Sequence, residues 1–369
     1  MEINGMEQDL ARMMELTSLR AQKIEAAPAT LDLSDPVQEL VQRLHPEKIT
    51  LRLEAIKDET SDTRTYRFTA AEGSGLPFFR AGQYLSVKME VEGKRVARPY
   101  SISSAPSDWP GFLELTVRRK AGGFVSEQIW RQWQAGSLVE ASGPHGNFYF
   151  EPLRDSRQIV AIAGGSGVTP FRSMIREIAA GKLDLELLLL YGSRLADEII
   201  FAKELEALAA KAPQKIRVEH VISEPAAGWD GLKGFIDAAL IREYAGELSG
   251  KSFFVCGPPE MYRFLQEQFA QLGLPRRQIR WELAGAVQDI TAEPGYPAGA
   301  RGRIFQLHLR RRGAEYTVPA AAEESILTAL ERAGLAPDSQ CRSGECGFCR
   351  SLLTAGEVYV RPESDGRRA

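Results

Sequence analysis

Three of the chain's four cysteines, Cys341, Cys346 and Cys349, stand in one short C-terminal segment with the spacing C-x4-C-x2-C. Thiols crowded in this way suit metal ligation better than disulfide pairing, and this is a spacing with which three of four thiolates hold a [2Fe–2S] cluster. A closed zinc site is the alternative, but it asks for four Cys or His ligands, and no histidine follows His308. Ser343, Gly344 and Gly347 surround the thiols, and small residues let backbone amides approach a compact anion and donate to its sulfurs.

Two further groups lie upstream. Arg98-Pro99-Tyr100-Ser101 places a cation, an aromatic plane and a hydroxyl within four positions. A flavin asks for these three, for its phosphate, its isoalloxazine face and its N5 edge. On a strand, alternation sets Arg98 and Tyr100 on one side and Ser101 on the other, so the backbone must also meet the ring. Gly122-Gly123-Phe124-Val125-Ser126 then opens a helix whose glycines and free amides can hold a pyrophosphate, although alone it is an ordinary turn and cap. Gly143-Pro144-His145-Gly146-Asn147-Phe148 closes this region. The second group is Gly164-Gly165-Ser166-Gly167-Val168-Thr169-Pro170, at a strand-to-helix turn where a dinucleotide pyrophosphate can approach the backbone, though not with GxGxxG spacing. Cys256-Gly257-Pro258-Pro259 ends another apolar strand, at the end where such sheets bind ligands; read alone, Cys256 is a core thiol.

The elements that must position these residues fall into successive textures. Residues 1–48 read as a helical arm, with Leu10, Met13, Met14 and Leu16, then Val37, Leu40, Val41 and Leu44, near helical spacing. Ser34 and Asp35 before Pro36 mark a helix start. Such an arm packs on its own protein or docks a partner. Residues 49–154 hold short strands at Thr50–Ala55, Thr65–Phe68, Tyr84–Lys88 and Phe112–Val117, which predict a small antiparallel barrel. In residues 155–288, apolar strands at Ile159–Ala163, Leu187–Leu190, Ile216–Ile222 and Phe253–Val255 alternate with helices near 170–180, 201–212, 235–245 and 259–272. That rhythm predicts a parallel sheet covered on both faces, the nucleotide-binding architecture. Residues 289–301, with Pro294, Pro297, Gly295 and Gly299, read as a linker. Residues 302–369 give alternation at Phe305, Leu307 and Leu309, a turn at Gly313, a strand at Tyr316–Val318 and a helix from about Glu323 to Ala333 closed by Gly334. Strand, strand, helix and cysteine loop is the order of a small β-grasp domain.

The length of 369 residues suits two or three domains, and 44% apolar with 26% charged residues is an ordinary globular composition. A formal charge of −3 offers no electrostatic reason for nucleic acid or anionic membrane as partner. With no apolar run long enough to span a bilayer and no signal-peptide pattern, the expectation is a soluble cytoplasmic protein.

Taken together and in this order, the motifs from residue 50 onward resemble the ferredoxin–NADP reductase superfamily. The domain order is similar to single-chain oxygenase reductases with a C-terminal plant-type ferredoxin domain, such as the phthalate dioxygenase and phenylacetyl-CoA epoxidase reductases. The resemblance implies that Arg98, Pro99, Tyr100 and Ser101 bind the flavin, and that Gly122, Gly123, Val125 and Ser126 hold its phosphates. It implies a nicotinamide dinucleotide on Gly165, Ser166, Gly167 and Thr169, with Cys256, Gly257 and Pro258 beside the nicotinamide. Glu282 matches an acidic position that the family places near the flavin. Ser101, Cys256 and Glu282 are thus the expected catalytic residues: hydride passes from nicotinamide to flavin N5, and single electrons pass through the cluster to a downstream redox protein such as an oxygenase. FAD is favoured, and FMN is compatible with the same contacts. Ser193 and Arg194, after the second strand of the nucleotide domain, suit a 2′-phosphate, but arginine there also pairs locally, so NADH and NADPH both stay open.

The family's fourth cysteine lies further downstream than the residues remaining after Cys349. The chain is therefore expected to be part of a longer protein, with a non-cysteine ligand such as Glu357, Glu363 or Asp365 as the lesser possibility. Two rival functions are a stand-alone flavin or quinone reductase with a vestigial third domain, and an electron-carrier subunit of a larger complex.

Overall fold

The computed structural model describes residues 4–26, 35–44, 46, 48–71, 75–282, 290–293, 295–311, 313–344 and 346–360. The chain divides into two compact units, residues 1–42 and 43–369. The first carries helix α1 (Asn4–Glu25) and the start of α2 (Pro36–Leu44). Asp35 Oδ1 accepts the amides of Val37 at 2.9 Å and Gln38 at 3.1 Å, so the predicted start rests on a true aspartate cap with proline at the first helical position. Ser34, the other expected starter, lies outside the described residues.

The second unit opens with an antiparallel sheet of β1 (Ile49–Thr60), β2 (Thr63–Ala70), β3 (Tyr84–Val91), β4 (Lys94–Ser101), β5 (Leu113–Arg118) and β6 (Leu138–His145), in the order β4-β3-β6-β1-β2-β5. A bridge between Ile102 and Leu115, just past the end of β4, brings the two outer strands together and closes the sheet on itself. Helix α3 (Ser126–Gln132) packs on this barrel, with Ile129 buried in its core. Behind it, Trp133 meets Tyr66 and Phe68 edge-to-face at 5.1 and 5.4 Å, the preferred geometry for aromatic quadrupoles.

Next comes a parallel sheet of β7 (Gln158–Gly164), β8 (Glu186–Ser193), β9 (Ile216–Ile222), β10 (Leu232–Lys233), β11 (Ser252–Cys256) and β12 (Ile279–Trp281), in the order β10-β9-β8-β7-β11-β12. Helices α4 (Thr169–Ala179), α5 (Ala202–Lys211), α6 (Ala238–Ala245) and α7 (Pro259–Gln271) complete the layers. The unbroken apolar run of β7 has a clear cause. Ile159, Ala161 and Ala163 face one core, with Phe171 and Ile175 of α4, while Val160 and Ile162 face a second, with Leu265 and Phe269 of α7. Strand order reverses between β7 and β11, which puts the carboxyl ends of these two strands at the switch point of the sheet.

The last part is a hairpin of β13 (Ile304–Arg311) and β14 (Ala314–Ala321), with α8 (Ile326–Arg332) packed on it. The helix begins three residues later than expected from Glu323, because Ser325 Oγ caps it by accepting the Thr328 amide at 3.1 Å. The preceding stretch, read as a linker, is packed down over its described part. Thr291 and Glu293 are buried, and the Tyr296 hydroxyl donates to the Ala322 carbonyl at 3.0 Å. Among the described residues, no helix is long and apolar enough to cross a membrane.

Candidate active site

Antiparallel pairing with β3 fixes β4, setting Ser101 opposite Tyr84, Tyr100 opposite Leu85 and Arg98 opposite Val87. Tyr100 packs against the barrel core, and burial pushes its phenol up, so it stays protonated. Arg98 Nη1 donates to the Ala97 carbonyl at 2.7 Å and to Glu331 of α8 at 3.3 Å. Its Nε and Nη2 carry no partner among the described residues. A half-buried guanidinium with donors in hand fits a phosphate, so the residues present suit a flavin's anionic end. Beyond β5, Gly122 adopts a left-handed φ of 70°. A Cβ on Gly123 would come within 2.6 Å of Ser126 Oγ and 2.8 Å of the Lys120 carbonyl. Ser126 Oγ accepts the Lys120 amide at 3.0 Å, which draws the turn tight around the helix start. Val125, expected among the flavin contacts, is buried in the barrel core beside Ile129, so its side chain anchors α3.

At the switch point, β7 runs through Gly164 into a short turn that leads into α4. Gly165 has a left-handed φ of 52°, and the Tyr191 hydroxyl donates to its carbonyl at 3.0 Å. Thr169 Oγ1 donates to the carbonyl of exposed Ser166 at 3.0 Å. A Cβ on Gly167 would lie 2.0 Å from the Cys256 carbonyl oxygen, so this glycine is required by backbone packing. Cys256 is buried at the end of β11. Burial and then the Glu282 carboxylate push its thiol well up, against a hydrogen bond with Tyr262, so it is a neutral packing and positioning group. Glu282, buried just beyond β12, donates its amide to the Val255 carbonyl at 2.9 Å. Tyr262 ties the two together, accepting the Gly257 amide at 3.0 Å and donating to the Glu282 carbonyl at 2.5 Å. Sequence reasoning missed this tyrosine, whose place in the first turn of α7 has no motif of its own.

Ser193 is buried at the end of β8. Arg194 beside it is exposed yet held by two carboxylates, Glu198 one turn on and Glu224 beyond β9 at 3.3 Å. A buried ion network joins barrel to nucleotide domain. Arg172 of α4 donates to Glu114 of β5 at 2.7 Å, to the Ser103 carbonyl at 3.0 Å and to Glu204 of α5. Arg118, at the end of β5, donates to Asp62 at 2.7 Å and Glu198 at 3.0 Å. A concavity of about 440 Å³ lined by Arg154, Lys251, Arg277 and Arg280 opens at the amino ends of β11 and β12, away from this site.

In the third part, Cys341 is buried while Cys346 and Cys349 are half-buried. The loop is shaped by left-handed backbone at Arg342, Gly344 and Gly347. The Cys346 amide donates to Cys341 Sγ at 3.4 Å. A hydrogen bond from the Cys346 thiol, with help from Ser343, outweighs burial and pushes the Cys341 thiol down to about 4, while the same contact pushes Cys346 up. A buried cysteine sulfur that receives a backbone amide suits the donor set of an iron–sulfur cluster. Among the described residues, no three Cys, His, Asp or Glu side chains converge as a single metal ion would need. A binuclear cluster asks instead for two thiolates at each iron. Glu357 is exposed, and Glu363 and Asp365 lie outside the described residues.

Three family models match in order: an oxidoreductase FAD-binding domain over residues 50–150, an oxidoreductase NAD-binding domain over 161–267 and a 2Fe-2S iron-sulfur cluster binding domain over 309–369. The chain is 34% identical over 245 residues to ferredoxin--NADP reductase B of Sorangium cellulosum, covering 65% of this chain and 98% of the relative. It is 28% identical over 324 residues to the glycine betaine monooxygenase reductase subunit of Chromohalobacter salexigens, covering 84% and 86% of the two chains. In fold it is similar to phthalate dioxygenase reductase, with a TM-score of 0.62 and 23% identity over 88% of this chain and 90% of the other.

Proposed function

The chain belongs to the ferredoxin–NADP reductase superfamily and is an NAD(P)H-dependent oxidoreductase with FAD, NAD and [2Fe–2S] domains; from this premise we propose that it is the reductase component of an oxygenase system. When bound, the flavin turns a two-electron hydride donor into a source of single electrons, which the cluster relays. Arg98 would hold the flavin phosphate, with the tight turn of Gly123 and Ser126 available to the same anionic group. Tyr100 would supply an aromatic face and Ser101 a hydroxyl for the flavin ring, next to each other on the same strand. Ser101 and Cys256 align flavin and nicotinamide, since hydride transfer demands near contact. Tyr262 fixes that alignment by holding Gly257 and Glu282 in one arrangement. Arg172 fixes the strand of Ser101 against the helix that begins at Thr169. Thiols crowded for metal ligation rather than disulfide pairing suit a reducing compartment, which supports a cytoplasmic setting for the reaction.

The oxygenase as acceptor is supported by the reductase subunits among its relatives. NADH is the preferred nucleotide in this reading, because Glu198 and Glu224 already neutralise Arg194. The observation that carries the proposal is the cysteine loop, where the Cys346 amide donates to the sulfur of buried Cys341 in the same chain as the flavin strand. The test is an anaerobic absorption and EPR spectrum with iron quantified, before and after NADH or NADPH. Flavin bleaching with a rhombic signal from a reduced cluster is the expected result. Flavin bleaching without iron would give first place to a stand-alone flavin reductase.

A further inference from the structure

Glu331 is almost completely buried on α8 and lies between two arginines. One is Arg98 on the flavin strand, 233 positions earlier and 3.3 Å away. The other is Arg342, itself 2% exposed and next in sequence to Cys341. A single carboxylate thus bridges the strand proposed to hold the flavin and the loop that carries the thiols. Within this cluster of three described side chains, two guanidiniums share one carboxylate in a mostly desolvated place, so Glu331 alone balances only one of them. Such an excess is costly unless another anion arrives. Arg98 still has Nε and Nη2 to offer, and a phosphate supplies the missing negative charge.

We propose that Glu331 is a positioning residue that couples flavin binding at β4 to the placement of the cysteine loop. This rests on the reading that Arg98 holds the flavin phosphate. Without Glu331 the two guanidiniums repel each other and the loop loses its tie to β4. With Glu331 in place, docking brings Arg342 toward the phosphate, so the loop strengthens flavin binding. By linkage, flavin binding strengthens docking by the same factor. A carboxylate is needed rather than any polar group, since only it accepts from both arginines and balances one of them.

The test is amide hydrogen exchange of the full chain, flavin-free and with FAD added, read in peptides covering residues 94–101 and 338–344. Wild type is expected to show FAD slowing exchange in both segments, by about tenfold in 338–344, within the ordinary range for coupled sites. Glu331→Gln is expected to keep the FAD effect in 94–101 and lose it in 338–344. Glu331→Asp, which keeps the charge on a shorter arm, is expected to recover part of it, which a merely structural loss would not. Equal FAD protection of 338–344 in wild type and Glu331→Gln would overturn the coupling, as would none in wild type. Failure of the flavin reading has a different signature: FAD would leave 94–101 unprotected in wild type.

Discussion

The joint between barrel and nucleotide domain makes a quantitative claim that one substitution can test. Glu114 and Arg172 have side chains 5% and 6% exposed and meet at 2.7 Å, while the other oxygen of Glu114 takes Arg67 at 2.8 and 3.0 Å. Glu114→Gln keeps the shape and removes the charge. Leaving one member of a buried pair uncompensated costs about 3–5 kcal/mol. Arg172 keeps Glu204 and the Ser103 carbonyl, which brings the cost below that range, to about 2–3 kcal/mol. Burial pushes the Glu114 carboxyl up, but Arg172 and then Arg67 pull it down further, so its folded value lies below the ordinary glutamate range. A depressed folded pKa means that the stabilisation is fully present above the unfolded value near ~4.3 and is lost as pH falls through the folded one. Urea unfolding followed by tryptophan fluorescence should show the full deficit of Glu114→Gln at pH 7. The deficit should shrink once the pH passes below about 4. A deficit below about 0.5 kcal/mol at pH 7, the range of ordinary surface substitutions, or one that does not narrow in acid, would refute the reasoning.

Three further outcomes are expected. Cys346→Ser should abolish electron delivery to a one-electron protein acceptor while nicotinamide-to-flavin reduction, followed by stopped flow, stays near wild type; equal loss of both would contradict the order of carriers. Wild type should favour NADH in kcat/KM, and Glu198→Gln with Glu224→Gln, by freeing Arg194, should raise the NADPH to NADH ratio about tenfold, the worth of one charge-assisted hydrogen bond. Gly167→Ala puts a methyl where the Cys256 carbonyl sits, so it should lower thermal stability, by about 1–3 kcal/mol of overpacking, and raise KM for the nucleotide.

Much of the architecture was legible because it is written in local pattern. The run Ile159–Ala163 has no polar position, which requires cover on both faces, and the two cores found there are its direct expression. The cysteine spacing, the Asp35-Pro36 start and the glycine turn after β7 are likewise statements about near neighbours. The start of α8 was misjudged because Glu323 and Ser325 are both plausible first-turn residues, and only the hydrogen bond of Ser325 decides between them. What could not be read was long-range charge pairing. Glu331 in Leu330-Glu331-Arg332 and Arg172 in Phe171-Arg172-Ser173 have the look of solvated helix faces. Their burial depends on Arg98, Ser103 and Glu114, which lie 233, 69 and 58 positions away in sequence. Tyr262 escaped for the same reason, since its role appears only when β12 lies beside β11.

Helix α4 has one more consequence. Its first residue, Thr169, sits at the turn assigned to the dinucleotide, and Arg172, less than one turn later, grips the barrel two residues beyond Ser101. If the two groups bind as proposed, the helix is a common gauge for both, and its error is that of a span of about 5 Å rather than of two independently folded bodies. Changes in the outer strands, or in loops far from this helix, should leave the spacing between the two rings untouched. A substitution that shifts α4 along its axis by a fraction of an ångström should misalign the rings, however stable each domain remains by itself.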